Sequence, residues 1–471
     1  MPSRVPDDSD SEGVPVRVYD RLFIGGDWVK STGSGTIEVI SPGTEEPIGR
    51  VPDSTEADVD AAVAAARQAF DFGPWPRTSP AERADLLAGV SATIQARSEE
   101  IARTITEQNG SPISWSLMGQ VFSATMVLDY YVGLAREHPF EEARAGIMGP
   151  ALVAGCTVVL KPAPETPLDA NVLAEILAEA GLPPGVVNVV PAGREVGEHL
   201  VTHPGVDKIG FTGSTAAGKR IAALCGERLK RVTLELGGKS AAIVLPDADI
   251  DEVAAGLLPA SLMNNGEACV AQTRILAPRD QYQRLVDQLC ERVGAMSVGD
   301  PLDPVTEIGP LVTSRQRERV EGYIAAGQEE GAKVALGGGR PSGLSRGWYV
   351  EPTVFVDVDN RMRIAQEEIF GPVLAVIPYG EVDEAVSIAN DSTYGLSGSV
   401  WSADVDRGLD IARRVRTGTY TVNGFMLEFG APFGGYKESG IGRELGPEGL
   451  AGYLEYKSVS MPAGWTPPAT S

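Results

Sequence analysis

The sequence predicts an α/β protein built on parallel sheets with helices on both faces. Short apolar runs alternate with helical stretches over residues 156–422. Parallel strands need long crossovers, which helices supply, so this alternation is typical of a doubly wound fold. The chain has 471 residues, too many for one simple core. We therefore expect two or three domains.

The N-terminal part of the chain has a different pattern. Over residues 20–51, β-type runs alternate with Gly and Pro turns, which predicts antiparallel hairpins. Apolar residues at helical spacing then predict helices at residues 56–70, 80–97, 99–109 and 113–134. The first residues are rich in Asp, Ser and Pro and lack the apolar core of a signal peptide. They predict a disordered tail over residues 1–18.

Two α/β runs follow. The first alternates CTVVLKP, VVNVVP, KIGFTGS and RVTLEL with helices at residues 168–180, 195–201 and 215–224. The second alternates SAAIVL, TRILAP, PVLAVIPY, GLSGSVW and GTYTVN with helices at residues 250–263, 280–295, 383–390 and 404–415. Each run has the strand–helix period of a parallel sheet covered on both faces.

The composition argues against several classes of partner. A net charge of −24 lacks the basic footprint of a nucleic-acid binder and opposes contact with anionic membranes. No apolar run approaches the roughly 20 residues that span a bilayer. Four cysteines without a CxxC pair and three histidines make a zinc site unlikely to form and indicate a reducing compartment. We expect no nucleic acid, membrane or metal partner, and a cytoplasmic location.

Cys269 is the strongest candidate for chemistry. It lies in NNGEACVAQTR, where small neighbours leave space around the thiol. The other three cysteines, Cys156, Cys225 and Cys290, lie in apolar strand or helix patterns that are typical of buried small side chains. A cysteine with open surroundings is better placed to act as a nucleophile.

Glu235 supplies a possible base 34 residues upstream of Cys269. It ends an apolar strand directly before Gly237 and Gly238, and the carboxyl ends of parallel strands are where such sheets hold ligands. Partial burial would raise the pKa of this carboxyl and make it a usable base near neutral pH. A thiol and a carboxylate together predict covalent chemistry at a carbonyl carbon.

Further stretches are weak signals when taken alone. FTGSTAAG places Gly213 and Ser214 at a helix N-terminus that can meet a phosphate, although the G-x-G-x-x-G spacing is absent. LKPAPETP puts Lys161 at the end of a strand, and its prolines fix the following turn. QEEIFGPVL and APFGGYKESGIGRELG by themselves are ordinary loops.

Taken together, these motifs resemble the aldehyde dehydrogenase superfamily. LELGGKS, NNGEACVAQTR, FTGSTAAGK, VVLKPAPETP, EEIFGPVL and PFGGYKESGIGRELG are similar to its motifs, and the resemblance covers residues 22–459. It implies a Rossmann-like cofactor domain (residues 19–134 and 148–236) and an α/β catalytic domain (residues 237–445). It also implies a small β oligomerisation arm with a C-terminal tail (residues 135–147 and 446–471).

The resemblance implies roles for individual residues as well. Cys269 would be the nucleophile and Glu235 the general base. Six residues would bind the cofactor: Lys161 at the adenosine ribose, Gly213 and Ser214 near the pyrophosphate, Leu236, Glu368 at the nicotinamide ribose, and Phe370 beside the nicotinamide. The cofactor would be NAD, with NADP left open because Pro164 stands where many NAD-preferring relatives carry an acid. The partners would be a small aldehyde and further copies in a homodimer or homotetramer.

One departure from the family pattern concerns an internal deletion between about Gly146 and Ala154. PFEEARAGIMG runs directly into PALVAGCTVVLKP, where the family carries a strand, a Pro-Trp-Asn loop and a helix. In the family, the asparagine of that loop donates a hydrogen bond to the oxyanion, and losing one such donor costs about 10²–10³ in rate. Resequencing codons 145–155 distinguishes a deletion in the gene from a fault in the recorded sequence.

Three functions remain open at this point. The first is oxidation of an aldehyde to a carboxylic acid through a cysteine thiohemiacetal and thioester. The second is a catalytically impaired homologue that lacks the oxyanion asparagine. The third is a CoA-acylating relative, which is disfavoured because Glu235 suits hydrolysis. The sequence does not rank the substrate-pocket candidates Met118, Met263, Val270 and Phe429.

Overall fold

The strands in the described part of the chain form four sheets, of three, four, three and seven strands. The structure, a computed structural model, describes residues 17–137, 148–455, 457 and 462. Residues 1–16 of the predicted tail (residues 1–18) therefore lie outside the described residues, whereas residues 17 and 18 form a short strand. In the part of the chain that is described, no helix combines the length and apolar content of a bilayer span.

The N-terminal strands agree with the predicted hairpins. Strands β2 (Leu22–Ile24) and β3 (Asp27–Val29) form an antiparallel hairpin, as do β4 (Thr36–Ile40) and β5 (Pro47–Pro52). Strand β1 (Arg17–Val18), which precedes the predicted hairpin region, pairs parallel to β5. Hairpin turns join antiparallel neighbours, so they do not specify this parallel pair.

The helices before the first α/β run begin where the sequence predicts. They are α1 (Glu56–Asp71), α2 (Pro80–Ala96), α3 (Ser98–Asn109), α4 (Ile113–Trp115), a π-helical stretch (Ser116–Phe122) and α5 (Ser123–Glu137). Thr55 and Ser79 start α1 and α2 with capping boxes, in which a side chain on each side satisfies an otherwise free N–H group. Gly110 ends α3 with φ = 85°, the left-handed conformation that glycine adopts without strain.

The first α/β run forms two half-sheets where one sheet was expected. Its elements are α6 (Met148–Val153), β6 (Val158–Leu160), α7 (Leu168–Glu179), β7 (Val187–Val189), α8 (Arg194–Thr202), β8 (Lys208–Thr212), α9 (Thr215–Glu227) and β9 (Arg231–Glu235). One half-sheet has the order β3-β2-β7-β6. In the other, β9 lies between β8 and the late strand β17 (Gly440–Ile441). Within the described ranges, no strand joins β6 to β8.

The second run forms the seven-stranded sheet, in the order β12-β13-β14-β11-β10-β15-β16. Its strands are β10 (Ala241–Val244), β11 (Arg274–Pro278), β12 (Lys333–Leu336), β13 (Thr353–Val356), β14 (Val373–Tyr379), β15 (Gly398–Trp401) and β16 (Thr421–Val422). Its helices are α10 (Ile250–Leu262), α11 (Tyr282–Gly294), α12 (Ser314–Glu329), α13 (Arg363–Gln366), α14 (Val382–Asn390) and α15 (Val405–Arg414). All pairs are parallel except β12 with β13.

Apolar cores cover both faces of this sheet. Ile243 and Phe355 lie in one core, and their chain neighbours Val244 and Val354 lie in the other. Successive side chains of a strand point to opposite faces, so the continuous apolar strands of the sequence fill two cores at once.

The C-terminal residues differ from the predicted arm. Residues Gly446–Ala451 form helix α16, and Leu450 is fully buried in the core beneath α2, α5 and α7. The hydroxyl of Tyr131 donates to the carbonyl of Gly446 over 3.4 Å. This short helix therefore packs against the N-terminal half of the molecule, because that contact buries the apolar side chain of Leu450. Most of the predicted arm, residues 138–147 and much of 456–471, lies outside the described residues.

Candidate active site

The glycines after β9 allow three chain segments to meet. A side chain at Gly237 would come within 2.4 Å of a Glu368 carboxylate oxygen, and one at Gly238 within 2.4 Å of the Cys269 carbonyl oxygen. The Gly238 N–H donates to the Glu368 carboxylate over 3.0 Å. The strand that carries Glu235 thus lies directly against the Cys269 and Glu368 segments.

The loop before Cys269 is held in an unusual conformation. Asn264, Asn265 and Gly266 have φ values of 50°, 60° and 75°, a left-handed region that side chains rarely adopt. The buried amide of Asn265 donates to the carbonyls of Gly110 and Pro310, at 3.1 and 3.0 Å. These bonds fix the loop, and they offset the cost of its backbone conformation.

Burial and neighbouring acids keep the Cys269 thiol protonated. Burial is the main cause that raises the pKa of the thiol to about 12, and the nearby carboxyls of Glu368 and Glu235 contribute to the same rise. The backbone N–H of Cys269 itself works in the opposite direction. At neutral pH, the nucleophile must therefore lose a proton before or during attack.

Glu235 has the features of a base that is neutral at rest. Burial raises the pKa of its carboxyl to about 9, with a further contribution from Glu444 and an opposing one from Arg443. Among the described residues, neither carboxyl oxygen has a hydrogen-bond partner, although both are buried. Buried polar atoms are normally hydrogen-bonded, so this carboxyl is free to receive a ligand or a water molecule.

Glu444 is a site residue that the sequence reasoning did not assign. It lies in the GRELG loop, is largely buried, and acts electrostatically on both Cys269 and Glu235. Burial raises the pKa of Glu444 to about 7, while Lys208 lowers it. The Gly-rich loop was recognised as a motif, but only the folded structure brings this glutamate near a strand 209 positions away.

The segment that carries Glu368 and Phe370 is anchored by α12. The guanidinium of Arg319 donates to the Glu368 carbonyl over 2.6 Å, and the amide of Gln316 donates to the Phe370 carbonyl over 2.5 Å. Phe370 has φ = 61°, so these anchors hold a strained residue in place. The sequence reasoning missed α12, Gln316 and Arg319.

Lys161 lies at the end of β6 and not beside the thiol. Its ammonium donates to the carbonyls of Pro162 and Ala192, at 2.7 and 3.0 Å. Its stem runs along α8, because a side chain at Gly197 would come within 3.3 Å of it. One ammonium N–H remains for a ligand hydroxyl.

The turn after β8 agrees with the expected phosphate site only in part. The Gly213 N–H donates to the Glu235 carbonyl over 3.0 Å, and the position of Gly213 near a pyrophosphate stays a prediction. Ser214 caps α9, its hydroxyl accepting from the Ala217 N–H. Leu236 packs on Gly218 of the same helix. The first turn of α9 thus remains the possible anion site.

The residues predicted to bind a dinucleotide lie in two separate halves. Glu368 and Phe370 share the segment whose Glu368 carboxyl acts on the Cys269 thiol, and Lys161 follows β6. Lys161 stands on one half-sheet and Ser214 follows the other. The relative placement of the two halves therefore depends on what lies between β6 and β8.

Asp60, His199 and His203 form a cluster, although the sequence predicts no metal site. Their ligand atoms lie within 4.8 Å of one another. His203 Nδ1 accepts the Gly205 N–H over 3.0 Å, so its proton is on Nε2, which lies 3.3 Å from Asp60 Oδ1. Hydrogen bonds that involve these side chains account for the short distances within the cluster.

A half-buried thiol whose neighbours include a buried carboxyl is the combination that covalent chemistry at a carbonyl carbon needs. A model described as the aldehyde dehydrogenase family matches residues 28–146 and 138–459. The chain belongs to the aldehyde dehydrogenase family. It is an NAD-dependent enzyme that oxidises aldehydes to acids, and the predicted α/β fold of this family is confirmed.

Relatives and solved structures agree over nearly the whole chain. Geranial dehydrogenase of Castellaniella defragrans is 48% identical, over 94% of this chain and 99% of the relative. A Mycobacterium tuberculosis aldehyde dehydrogenase complexed with NAD+ is 48% identical, with a TM-score of 0.93 over 96% of this chain and 100% of that one. A cysteine-to-alanine variant of aldehyde dehydrogenase C from Pseudomonas syringae, with NAD+ and octanal, is 40% identical with a TM-score of 0.90, over 93% and 95%.

The same comparisons bear on the internal deletion. The alignment with geranial dehydrogenase has 476 positions but uses 94% of 471 residues, which is about 443. About 33 positions therefore have no counterpart in this chain. The family match also breaks into two segments that overlap at residues 138–146. The predicted site of the deletion, Gly146 to Ala154, begins in this stretch, and residues 138–147 lie outside the described part.

Proposed function

We propose that Cys269 and Glu235 divide the chemistry of aldehyde oxidation between them. The Cys269 sulfur attacks the aldehyde carbon, and the thiol proton moves to the aldehyde oxygen, which gives a thiohemiacetal. The observation that carries this proposal is the placement of Cys269 directly against the end of β9, where Glu235 is buried without a hydrogen-bond partner.

Glu235 acts in the second half of the reaction. NAD+, held by Glu368 and Phe370, would supply the hydride acceptor that converts the thiohemiacetal into a thioester on Cys269, with the hydroxyl proton released to water. Glu235, once deprotonated, takes a proton from water as the water attacks the thioester carbon. The carbon–sulfur bond breaks, the acid leaves, and the thiol is restored.

The cofactor-binding role falls on residues from both parts of the molecule. We assign Lys161 to the adenosine ribose, Ser214 with the first turn of α9 to the pyrophosphate, and Glu368 with Phe370 to the nicotinamide end. Leu236 supports the α9 turn. This assignment divides the chain into a cofactor domain at residues 19–134 and 148–236 and a catalytic domain at residues 237–445. NAD is favoured over NADP, because Glu165 stands beside Lys161 and would repel a 2′-phosphate.

An apolar aldehyde is the substrate class that the surroundings support. Met118, Phe122 and Met126 follow one another at four-residue spacing with exposed fractions of 60%, 51% and 41%. Met426 and Leu427 are also exposed, and Gly430 lies against Tyr130 of α5. Relatives named for geranial and crystallised with octanal agree with an apolar chain.

Assembly and location follow from the same proposal. We expect a homodimer or homotetramer, as the family resemblance implies. We also expect a cytoplasmic enzyme, because four free cysteines in a long chain suit a reducing compartment.

A catalytically impaired enzyme is the second candidate function. Two observations favour it: the sequence has no Pro-Trp-Asn loop, and the first α/β run forms two half-sheets. Such a protein would keep the thiol and base while losing oxyanion stabilisation and part of its NAD affinity.

Two measurements on the full chain test these functions. In the first, an activated ester is hydrolysed without cofactor, and we expect turnover by the wild type and none by Cys269→Ala. Equal turnover by both would contradict the nucleophile assignment. In the second, NADH formation is followed with octanal and with shorter, more polar aldehydes. Ester turnover without NADH from any aldehyde identifies the impaired enzyme.

A further inference from the structure

The two half-sheets leave strand edges that the proposed chemistry does not use. Strand β6 ends the four-stranded sheet and β8 ends the three-stranded one, and each is parallel to its inner neighbour. In the described parts of the chain, neither strand has a partner on its outer side.

The two edges begin side by side. The Cys156 thiol, two residues before β6, lies 3.8 Å from the Tyr453 carbonyl oxygen. The ammonium of Lys208, the first residue of β8, lies 4.6 Å from the centre of the Tyr453 ring. Tyr453 thus lies between the starts of β6 and β8. Cys156 and Lys208 are close enough to act electrostatically on each other.

The backbone groups on these edges face the gap. The Val158 N–H and the Leu160 carbonyl bond to the β7 side, so the N–H and carbonyl of Val159 point away from it. The Gly213 N–H bonds to Glu235 on β9, so by the same alternation Gly210 and Thr212 present their backbone to the gap. Both of these residues are exposed.

Strand β6 has the side-chain cover of an interior strand. Val159 packs on the core beneath α1, and Val158 and Leu160 pack on the opposite core beneath α2 and α7. Natural edge strands are protected by charges, proline or bulges, and this Val-Val-Leu strand carries none of them. The exposed part of β6 is therefore its unpaired backbone edge, because its side chains pack on the two cores.

An apolar cavity continues the gap at the carboxyl end of β6. It has a volume of 470 Å³, and its walls include Ile101, Ile105, Val121, Leu160 and Leu173.

We propose that this gap binds an extended apolar peptide as a parallel strand between β6 and β8. The occupant is a strand followed by an apolar helix, supplied from outside this chain, with the strand bonding to Val159, Gly210 and Thr212. Its helical part covers the cavity. About 33 positions of the relatives have no counterpart here, and the family match breaks at residues 138–146, shortly before β6. The strand bonds to backbone groups of β6 and β8, whereas the cofactor roles proposed above fall on Lys161 and Ser214 just beyond the ends of these strands.

The test uses the full chain and a fluorescent peptide with the sequence that geranial dehydrogenase carries at this break. We expect saturable binding by anisotropy. The same peptide N-methylated at alternate residues lacks half of the strand donors, so it should bind at least about tenfold more weakly. Val159→Pro should weaken binding similarly, because it removes a donor that faces the gap. The cofactor-free ester turnover of this variant should stay unchanged, which shows that it is folded.

Three results would overturn the proposal. One is equal binding of a scrambled peptide, which indicates general apolar adhesion. Another is absence of binding by a chain that still hydrolyses the ester, which means that the gap is closed or filled by the chain itself. The third is concentration-dependent self-association without peptide uptake, which means that a second copy covers these edges. Loss of ester turnover in Cys269→Ala is measured separately, so a failure of the catalytic proposal remains distinguishable.

Discussion

The carboxyl groups around Cys269 determine the pH at which the site reacts. The thiol pKa is raised to about 12 and the Glu235 pKa to about 9, so both groups are protonated at pH 7. A base works only in its deprotonated form, so hydrolysis of the acyl-enzyme should accelerate as the pH rises toward 9. Burial is the largest cause of both shifts, and Glu444 adds to each of them, so this residue should influence the pH dependence.

Replacing Glu444 should move the pH dependence in a defined direction. Glu444→Gln removes a negative charge that disfavours the Glu235 carboxylate, so the pKa of Glu235 should fall. The pH midpoint of acyl-enzyme hydrolysis should then lie below that of the wild type. Glu438→Gln, which changes an exposed carboxylate paired with Lys219, is the matched control and should leave the midpoint in place. An unchanged midpoint in Glu444→Gln would contradict the role of this residue.

The turn before Cys269 should tolerate no side chain at Gly266. A methyl group there would come within 2.3 Å of the Gly371 carbonyl oxygen, and the backbone has φ = 75°. Gly266→Ala should lower the free energy of unfolding by about 1–3 kcal/mol and slow ester acylation. Gly89→Ala in α2 meets no atom within 4 Å and should raise stability by up to about 1 kcal/mol. Urea unfolding of both variants checks the prediction, and equal stabilities would count against it.

The sequence predicts Cys269 and Glu235 because each stands out in its local pattern. Glu444, Gln316 and Arg319 do not, because their importance depends on contacts with distant parts of the chain. Gly213 is the opposite case, a residue that stands out in a local motif but whose N–H contact the motif does not reveal. Its position in a Gly turn suggests a phosphate donor, yet the pairing of β8 with β9 uses its N–H.

At the scale of elements, helix α12 holds the loop that carries Glu368. Arg319→Ala removes the donor to the Glu368 carbonyl, and a hydrogen bond from a charged group is worth about 1.5–3 kcal/mol. We expect the KM for NAD to rise about tenfold or more, while cofactor-free ester turnover stays unchanged. Arg340→Ala breaks an exposed pair with Glu321 of the same helix and serves as the control. Equal KM values for both variants would show that the anchor has no effect on the cofactor.

Most helices were predictable because their apolar residues recur at helical spacing and caps mark their starts. Helix α12 was not predicted, because its charged residues obscure the buried positions Val320, Tyr323, Ile324 and Gly327. Strands β12 and β13 were also not predicted. They lie between Gly-rich turns and depend on the rest of the sheet for pairing.

At the scale of the whole molecule, the sheets differ in completeness. The seven-stranded sheet has buried central strands, whereas β6 and β8 are the outermost strands of their sheets among the described residues. Edge amides open to solvent more readily than amides of buried strands. Hydrogen exchange should therefore be faster in β6 and β8 than in β10 and β11, by about a hundredfold or more. Equal protection in all four strands would mean that the gap is closed in solution.

The α/β class and two sets of parallel strands follow from the sequence, because strand–helix alternation reports topology directly. The division of the first set into half-sheets does not. A periodic sequence pattern indicates which segments form strands. It does not indicate which strands pair, and the order of β6, β7, β8 and β9 in the fold shows that β6 and β8 are not paired with each other.

The identity of the acylated cysteine tests the central claim most directly. The full chain is treated with an activated ester without cofactor, quenched, digested and mapped by mass spectrometry. We expect one acyl group on Cys269, and none on this peptide in Cys269→Ala. Acylation of Cys156, Cys225 or Cys290 instead, or equal labelling of wild type and variant, would contradict the assignment of Cys269 as the nucleophile.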